Sequence, residues 1–112
     1  MSRLLPEDEE FFAREIDVFL PDRVFDTHTH LWKRSFVPWS VAGGPTDVGY
    51  PEYLQLMQDI HPNREAGALF IPSVQTDSSG SFTPPNEWVA EASAQSAACR
   101  HLFFFSPEGP PG

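Results

Sequence analysis

Apolar positions recur along this chain with a helical period in some stretches and as short unbroken runs in others, and the changes between the two mark its elements. From Pro6 to about Phe19, the residues Phe12, Ile16 and Phe19 recur at helical spacing, with Phe11 and Val18 flanking the stripe. Pro6 suits a first helical position, and the acids from Glu7 to Glu10 complement the positive end of a helix dipole. The pattern predicts an N-terminal helix whose aromatic face packs on the rest of the protein. Pro21 stops that helix, and Asp22-Arg23 turns the chain into a strand that opens on Val24 and Phe25. Tyr53, Leu54, Met57 and Ile60 predict a second helix over Pro51 to Ile60, closed by His61-Pro62. His61 at that end is expected to serve the dipole and the last carbonyls. The continuous run Ala68-Leu69-Phe70-Ile71-Pro72 predicts a strand buried on both faces, as in parallel sheets. Asn86 is expected to cap a third helix running to about Ala98, with Trp88, Val89 and Ala92 on its inner side. His101-Leu102-Phe103-Phe104-Phe105 predicts a third apolar strand.

Strand, loop and helix therefore alternate, which predicts the α/β class and a parallel sheet with right-handed crossovers. The loop from Trp32 to Gly49, marked by Gly43-Gly44-Pro45, is long, and loops of that length are uncommon unless functional. Its notable side chains are Trp32, Lys33, Arg34, Phe36 and Trp39. Lys33 and Arg34 are candidates for holding a substrate carboxylate, Arg34 with the better fork. The plainer reading has both solvated and Trp39 pinning the loop. Gln75, Thr76 and Asp77 follow the second strand, where either ligand contacts or turn chemistry account for them. Residues Ser106 to Gly112 read as a further loop.

Composition narrows the class. The chain has 112 residues, enough for one small domain but short of the roughly 250 of a closed (β/α)8 barrel. Its apolar fraction of 40% is ordinary for a globular protein and argues against disorder. A formal net charge of -9 argues against nucleic acid or an anionic membrane as partner. Cys99 is the single cysteine, which excludes an internal disulfide and a Cys-rich zinc site and fits a cytoplasmic location. With His101 it makes Cys-x-His, too tight a pair for zinc, and both are expected to be structural. No apolar run approaches the roughly 20 residues of a membrane span, and the start lacks the apolar core of a signal peptide.

The chemistry concentrates at Val24-Phe25-Asp26-Thr27-His28-Thr29-His30-Leu31-Trp32. Alternate residues of a strand share a face, so Asp26, His28 and His30 are expected to point one way and Thr27, Thr29 and Leu31 the other. Two imidazoles two residues apart, roughly 6.5 Å between Cα atoms, can converge on one ion. Imidazole suits zinc, iron, nickel or copper. Asp26, on the same face, is expected to orient a ligand from behind it. The plainer reading is a polar strand end facing solvent.

This stretch resembles the first-strand motif of the amidohydrolase superfamily, most closely the amidohydrolase-related branch of lactone hydrolases and metal-dependent decarboxylases. The resemblance is specific only from Asp26 to His30, although the order of elements agrees with it over nearly the whole chain. It implies the first three β/α units of a TIM-like (β/α)8 barrel, preceded by the N-terminal helical segment of residues 1–22 and truncated at residue 112. It implies that His28 and His30 are metal ligands, that the metal is zinc or manganese, and that further ligands and the general acid/base lie on later strands. The expected substrate is a small carboxylated compound or lactone, bound near Trp32, Lys33 and Arg34, in a complete protein that is a candidate homo-oligomer. The expected activity is that of a metal-dependent hydrolase or a lyase, with the 112-residue piece inactive by itself. His61 and His101 are expected at a helix end and at the opposite mouth, where neither completes the site. Polymerase-and-histidinol-phosphatase phosphoesterases share a first-strand His-x-His but usually continue into a polar turn, whereas Leu31-Trp32-Lys33-Arg34 follows here. A truncated binding or structural module is the non-enzymatic alternative.

Overall fold

The computed structural model describes residues 4–37, 47–73 and 75–107. Three strands, β1 (Arg23–Leu31), β2 (Glu65–Pro72) and β3 (Arg100–His101), form one sheet in the order β1-β2-β3. Both pairings are parallel. Helices α2 (Tyr50–Ile60) and α3 (Thr83–Ser93) make the two crossovers, and α1 (Pro6–Phe11) precedes the sheet. The fold is α/β with a three-stranded parallel sheet, an arrangement common to barrels and to one half of a doubly wound sheet. No helix among the described residues is long and apolar enough to cross a membrane.

The sequence explains where the core sits. Tyr53 and Met57 lie four apart on one face of α2, Val89 and Ala92 three apart on α3, and both faces close on Leu31, Ala68 and Phe70. The Tyr53 ring meets that of Phe70 edge-on at 4.9 Å and 89°, a favoured aromatic geometry. Both helices thus cover the same sheet face, the one carrying the even-numbered residues of β2. Leu54, expected to face the core, is 40% exposed, because it sits one position around α2 from Tyr53. Helix α2 begins cleanly: Pro51 occupies its first turn, and Glu52 Oε1 accepts the amide of Gly49 at 2.9 Å. Gly67 is fixed by close approach, since a Cβ there would lie 2.4 Å from the carbonyl oxygen of Ala98.

Several expectations need correction. The N-terminal stretch is helical over the predicted span, but α1 gives way to a π turn at Phe12–Ile16 and a 3-10 turn at Asp17–Phe19. The π turn changes the residues per turn, so Phe12, Ile16 and Phe19 no longer form one stripe. No residue of the segment is buried, and Val18 and Phe19 are 73% and 83% exposed. Arg64 attaches the segment instead. Its guanidinium pairs with Asp17 Oδ1 at 2.7 Å and donates to the carbonyls of Asp17, Pro21 and Pro62 at 2.6, 3.0 and 3.0 Å. It also lies over the Phe12 ring at 5.7 Å.

Helix α3 starts at Thr83, with Pro84 and Pro85 in its first turn, and ends at Ser93 rather than Ala98. Asn86 lies inside it and caps nothing. Its amide group spans the backbone of Phe104, accepting the N–H at 2.9 Å and donating to the carbonyl at 2.8 Å. The third strand is two residues long, because Leu102 makes one further bond to Phe70 O and the chain then turns to Asn86. Leu102, Phe103 and Phe105 are accordingly exposed. Trp39, Gly43-Gly44-Pro45 and the end of the chain from residue 108 lie outside the described residues.

Candidate metal centre

The histidine pair occupies the C-terminal end of β1, the first strand of the parallel sheet. Val24 and Phe25 start the strand, and Leu31 anchors its far end in the core with 2% exposure. Between them the pairing with β2 shifts: Asp26 is opposite Ala68 and Thr29 opposite Phe70, so β1 spends one residue more than β2. This is a β-bulge. Asp26 Oδ1 accepts the backbone N–H of His28 at 2.9 Å inside it.

The bulge changes which residues share a face. Ladder partners lie on the same side of a sheet, so Asp26, opposite buried Ala68, and Thr29 and Leu31, opposite Phe70 and Pro72, all belong to the helix-covered face. His30, opposite Ile71, belongs to the other face, and the His28 ring meets it there. The expectation that Asp26, His28 and His30 share a face therefore fails at Asp26, because regular alternation does not survive an extra residue. Asp26 touches the main chain of His28 rather than an imidazole.

His28 and His30 are both exposed, and their rings meet edge-on with centroids 4.8 Å apart. Nε2 of His28 lies 2.9 Å from Nε2 of His30, close enough for both to reach one ion at about 2.0–2.1 Å. Nδ1 of His30 lies 3.2 Å from the carbonyl oxygen of Ile71. A carbonyl only accepts, so Nδ1 carries the proton and donates, which leaves the lone pair of the neutral ring on Nε2. Ile71 thus sets the tautomer that metal binding needs, a role usually filled by a carboxylate or carbonyl behind the ligand. The 2.9 Å contact between the two Nε2 atoms needs a proton on one of them, that of His28 when both rings are neutral, and an ion between the rings would take the place of that proton. The pair fits two positions of an imidazole-bound divalent metal. No group of three or more His, Cys, Asp and Glu among the described residues is placed to hold an ion.

The other candidates lie elsewhere. His101 is registered to Phe70, and Phe70 to Thr29, so His101 is level with the histidine pair rather than at the opposite mouth. Two things separate them: His101 is two strands away, about 10 Å, and as the partner of Phe70 it belongs to the helix-covered face, opposite the histidine pair. His61 caps α2 through its backbone N–H to Met57 O, while its ring Nδ1 is buried with no hydrogen-bonding partner among the described residues. Its main chain therefore meets the carbonyl end of α2 as expected, and its ring Nδ1 does not. Lys33 Nζ sits 4.7 Å from the Trp88 ring centroid, a cation–π contact to α3. Arg34 is exposed, and its amide donates to Asp47 Oδ1 at 2.9 Å. Trp32 is half-buried beside a cavity of about 200 Å3 that runs between β1 and α2, lined also by His30, Val48 and Leu56.

The loops after β1 and β2 are joined by main chain. Trp32 and Val48 exchange hydrogen bonds of 3.1 and 2.8 Å, closing the ends of the loop that follows β1. Val37 and Thr76 exchange bonds of 2.8 and 2.9 Å, tying that loop to the one after β2. Trp88 adds a third tie, donating Nε1–H to Val48 O at 2.9 Å. Asp77 serves its own turn: Ser79 Oγ and the amides of Ser79 and Ser81 donate to its carboxylate. Those hydrogen bonds, the Ser79 side chain first, hold its carboxyl below the usual range.

Sequence reasoning found the pair but missed what orients it. Nothing in the letters marks the Ile71 carbonyl; only the parallel register of β1 on β2 brings it beside His30. No family model matches this chain, and no curated protein or solved structure matches it.

Proposed function

We propose that this chain is the N-terminal part of a metal-dependent enzyme of the amidohydrolase-related kind, with His28 and His30 as its first two metal ligands. One observation carries the reading: two Nε2 atoms 2.9 Å apart at the carboxyl end of the first parallel strand, one of them aimed by a backbone carbonyl. Carboxyl ends of strands are where α/β folds place their chemistry. A bound divalent ion, zinc or manganese, would activate water or polarise a carbonyl for hydrolysis or decarboxylation. His30 presents its Nε2 lone pair because Ile71 holds the Nδ1 proton, and His28 must move its own proton to Nδ1 to do the same. A catalytic zinc needs about three protein ligands and an open position, so the remaining ligands and the acid/base lie beyond this chain. The proposed substrate is a small carboxylated compound or lactone. Arg34, on the loop leaving β1, is the candidate for its carboxylate, because a planar guanidinium meets a carboxylate with two parallel hydrogen bonds where an ammonium cannot.

The test is metal analysis of the complete protein and its His28→Ala/His30→Ala variant, with a panel of lactones and unsaturated carboxylic acids assayed in zinc or manganese. The wild type is expected to hold metal and turn over a panel member, and the variant to lose both. Equal metal content in the two proteins would refute the reading. Activity confined to phosphate esters would move the assignment to the phosphoesterases.

A further inference from the structure

We infer that Asp26 is a positioning residue for the histidine pair, acting through the main chain rather than through an imidazole; the inference rests on the metal reading above. Val24 and Leu31 are seven residues apart, and a regular strand sends residues an odd number apart to opposite faces. Here both belong to the helix-covered side: Val24 is opposite Ala66, which packs on the core, and Leu31 is itself in the core. The bulge between Asp26 and Thr29 makes this possible by adding one residue to β1. A bulge leaves a backbone group out of the ladder, and the Asp26 carboxylate accepts the His28 N–H there at 2.9 Å.

The phase of the histidines depends on that bulge. If β1 ran regularly from Val24 in its present place, His28 and His30 would turn into the helix layer and Leu31 out of it. If it ran regularly back from Leu31, Phe25 would turn toward the helices and Val24 away from them. Asp26 holds the arrangement in which Val24 and Leu31 point in while the imidazoles point out. Its role needs an acceptor at Oδ1 and not a negative charge, so asparagine serves and alanine does not.

The experiment compares Asp26→Asn and Asp26→Ala in the complete protein by two readouts. The first is hydrogen exchange of the His28 amide by NMR without added metal, and the second is zinc affinity from competition with a chromophoric chelator. Asp26→Asn is expected to keep His28 protection and to bind zinc within about threefold of wild type. Asp26→Ala is expected to lose the protection and, as for other groups that orient ligands, about 10- to 100-fold in affinity. Asp26→Ala matching wild type in both readouts overturns the inference, and so does Asp26→Asn losing them. Should Asp26→Ala fail to fold, Asp26→Asn decides alone. Should wild type bind no more zinc than His28→Ala/His30→Ala, the metal reading has failed, and the exchange readout still decides whether Asp26 holds the bulge.

Discussion

At the scale of single residues, burial and pairing part company at Tyr53. It is 2% exposed and meets Phe70 edge-on, yet no described residue hydrogen-bonds to its hydroxyl. Burial, with Cys99 and Asp26 nearby, pushes its phenol above the ordinary range. An unfolded tyrosine releases its proton near pH 10, whereas the folded one keeps it. The native state then binds more protons, so this residue lowers stability as pH rises above that value. Tyr53→Phe removes an unpaired buried polar group and keeps the ring, which is expected to stabilise by about 1 kcal/mol and to flatten the alkaline limb. Thermal melts from pH 7 to 11 check both, and a destabilised variant would show that the hydroxyl is bonded after all. The histidine pair was legible in the sequence because two residues two apart share a face in any regular strand. Asp26 was misplaced because no letter pattern announces a bulge. Arg64 went unnoticed because most of its partners are carbonyl oxygens, which every residue carries.

At the scale of elements, the parallel order of the three strands followed from their alternation with helices, and α2 from its apolar spacing. The third strand was overread: hydrophobicity identified Leu102 to Phe105 as apolar, but Asn86 ends the pairing by taking both backbone groups of Phe104. The N-terminal segment was misjudged in its attachment, since a π turn spoils a period that counts on 3.6 residues per turn. Its hold on the sheet through Arg64 makes a specific prediction. Arg64 has 9% side-chain exposure, and Asp17 has 46%. Arg64→Met is expected to cost about 2–3 kcal/mol, discounted for the half-exposed partner. The loss is expected to be local. Hydrogen exchange over residues 5–20 accelerates while the β1–β2 amides remain protected. An unchanged exchange pattern over residues 5–20 would show that the aromatics, not Arg64, attach this segment.

At the scale of the whole molecule, the described helices cover one sheet face, and the histidines lie on the other. Among the described residues no strand pairs with the outer edge of β1, and Leu102, Phe103 and Phe105 add exposed apolar surface by β3. Open edges template association. Residues 1–112 expressed alone are expected to form oligomers or to be poorly soluble, whereas a monodisperse monomer with a cooperative melt, by light scattering and calorimetry, would contradict this. The joined loops carry a different consequence. Val37 and Thr76 are hydrogen-bonded through their peptide groups, as are Trp32 and Val48. Those four bonds, unlike the tie from the Trp88 ring, need no particular side chain at their own residues, proline excepted. Mutation can therefore rewrite the rim around the histidines while its outline stays put, and a lineage can try new specificities there without first rebuilding the site.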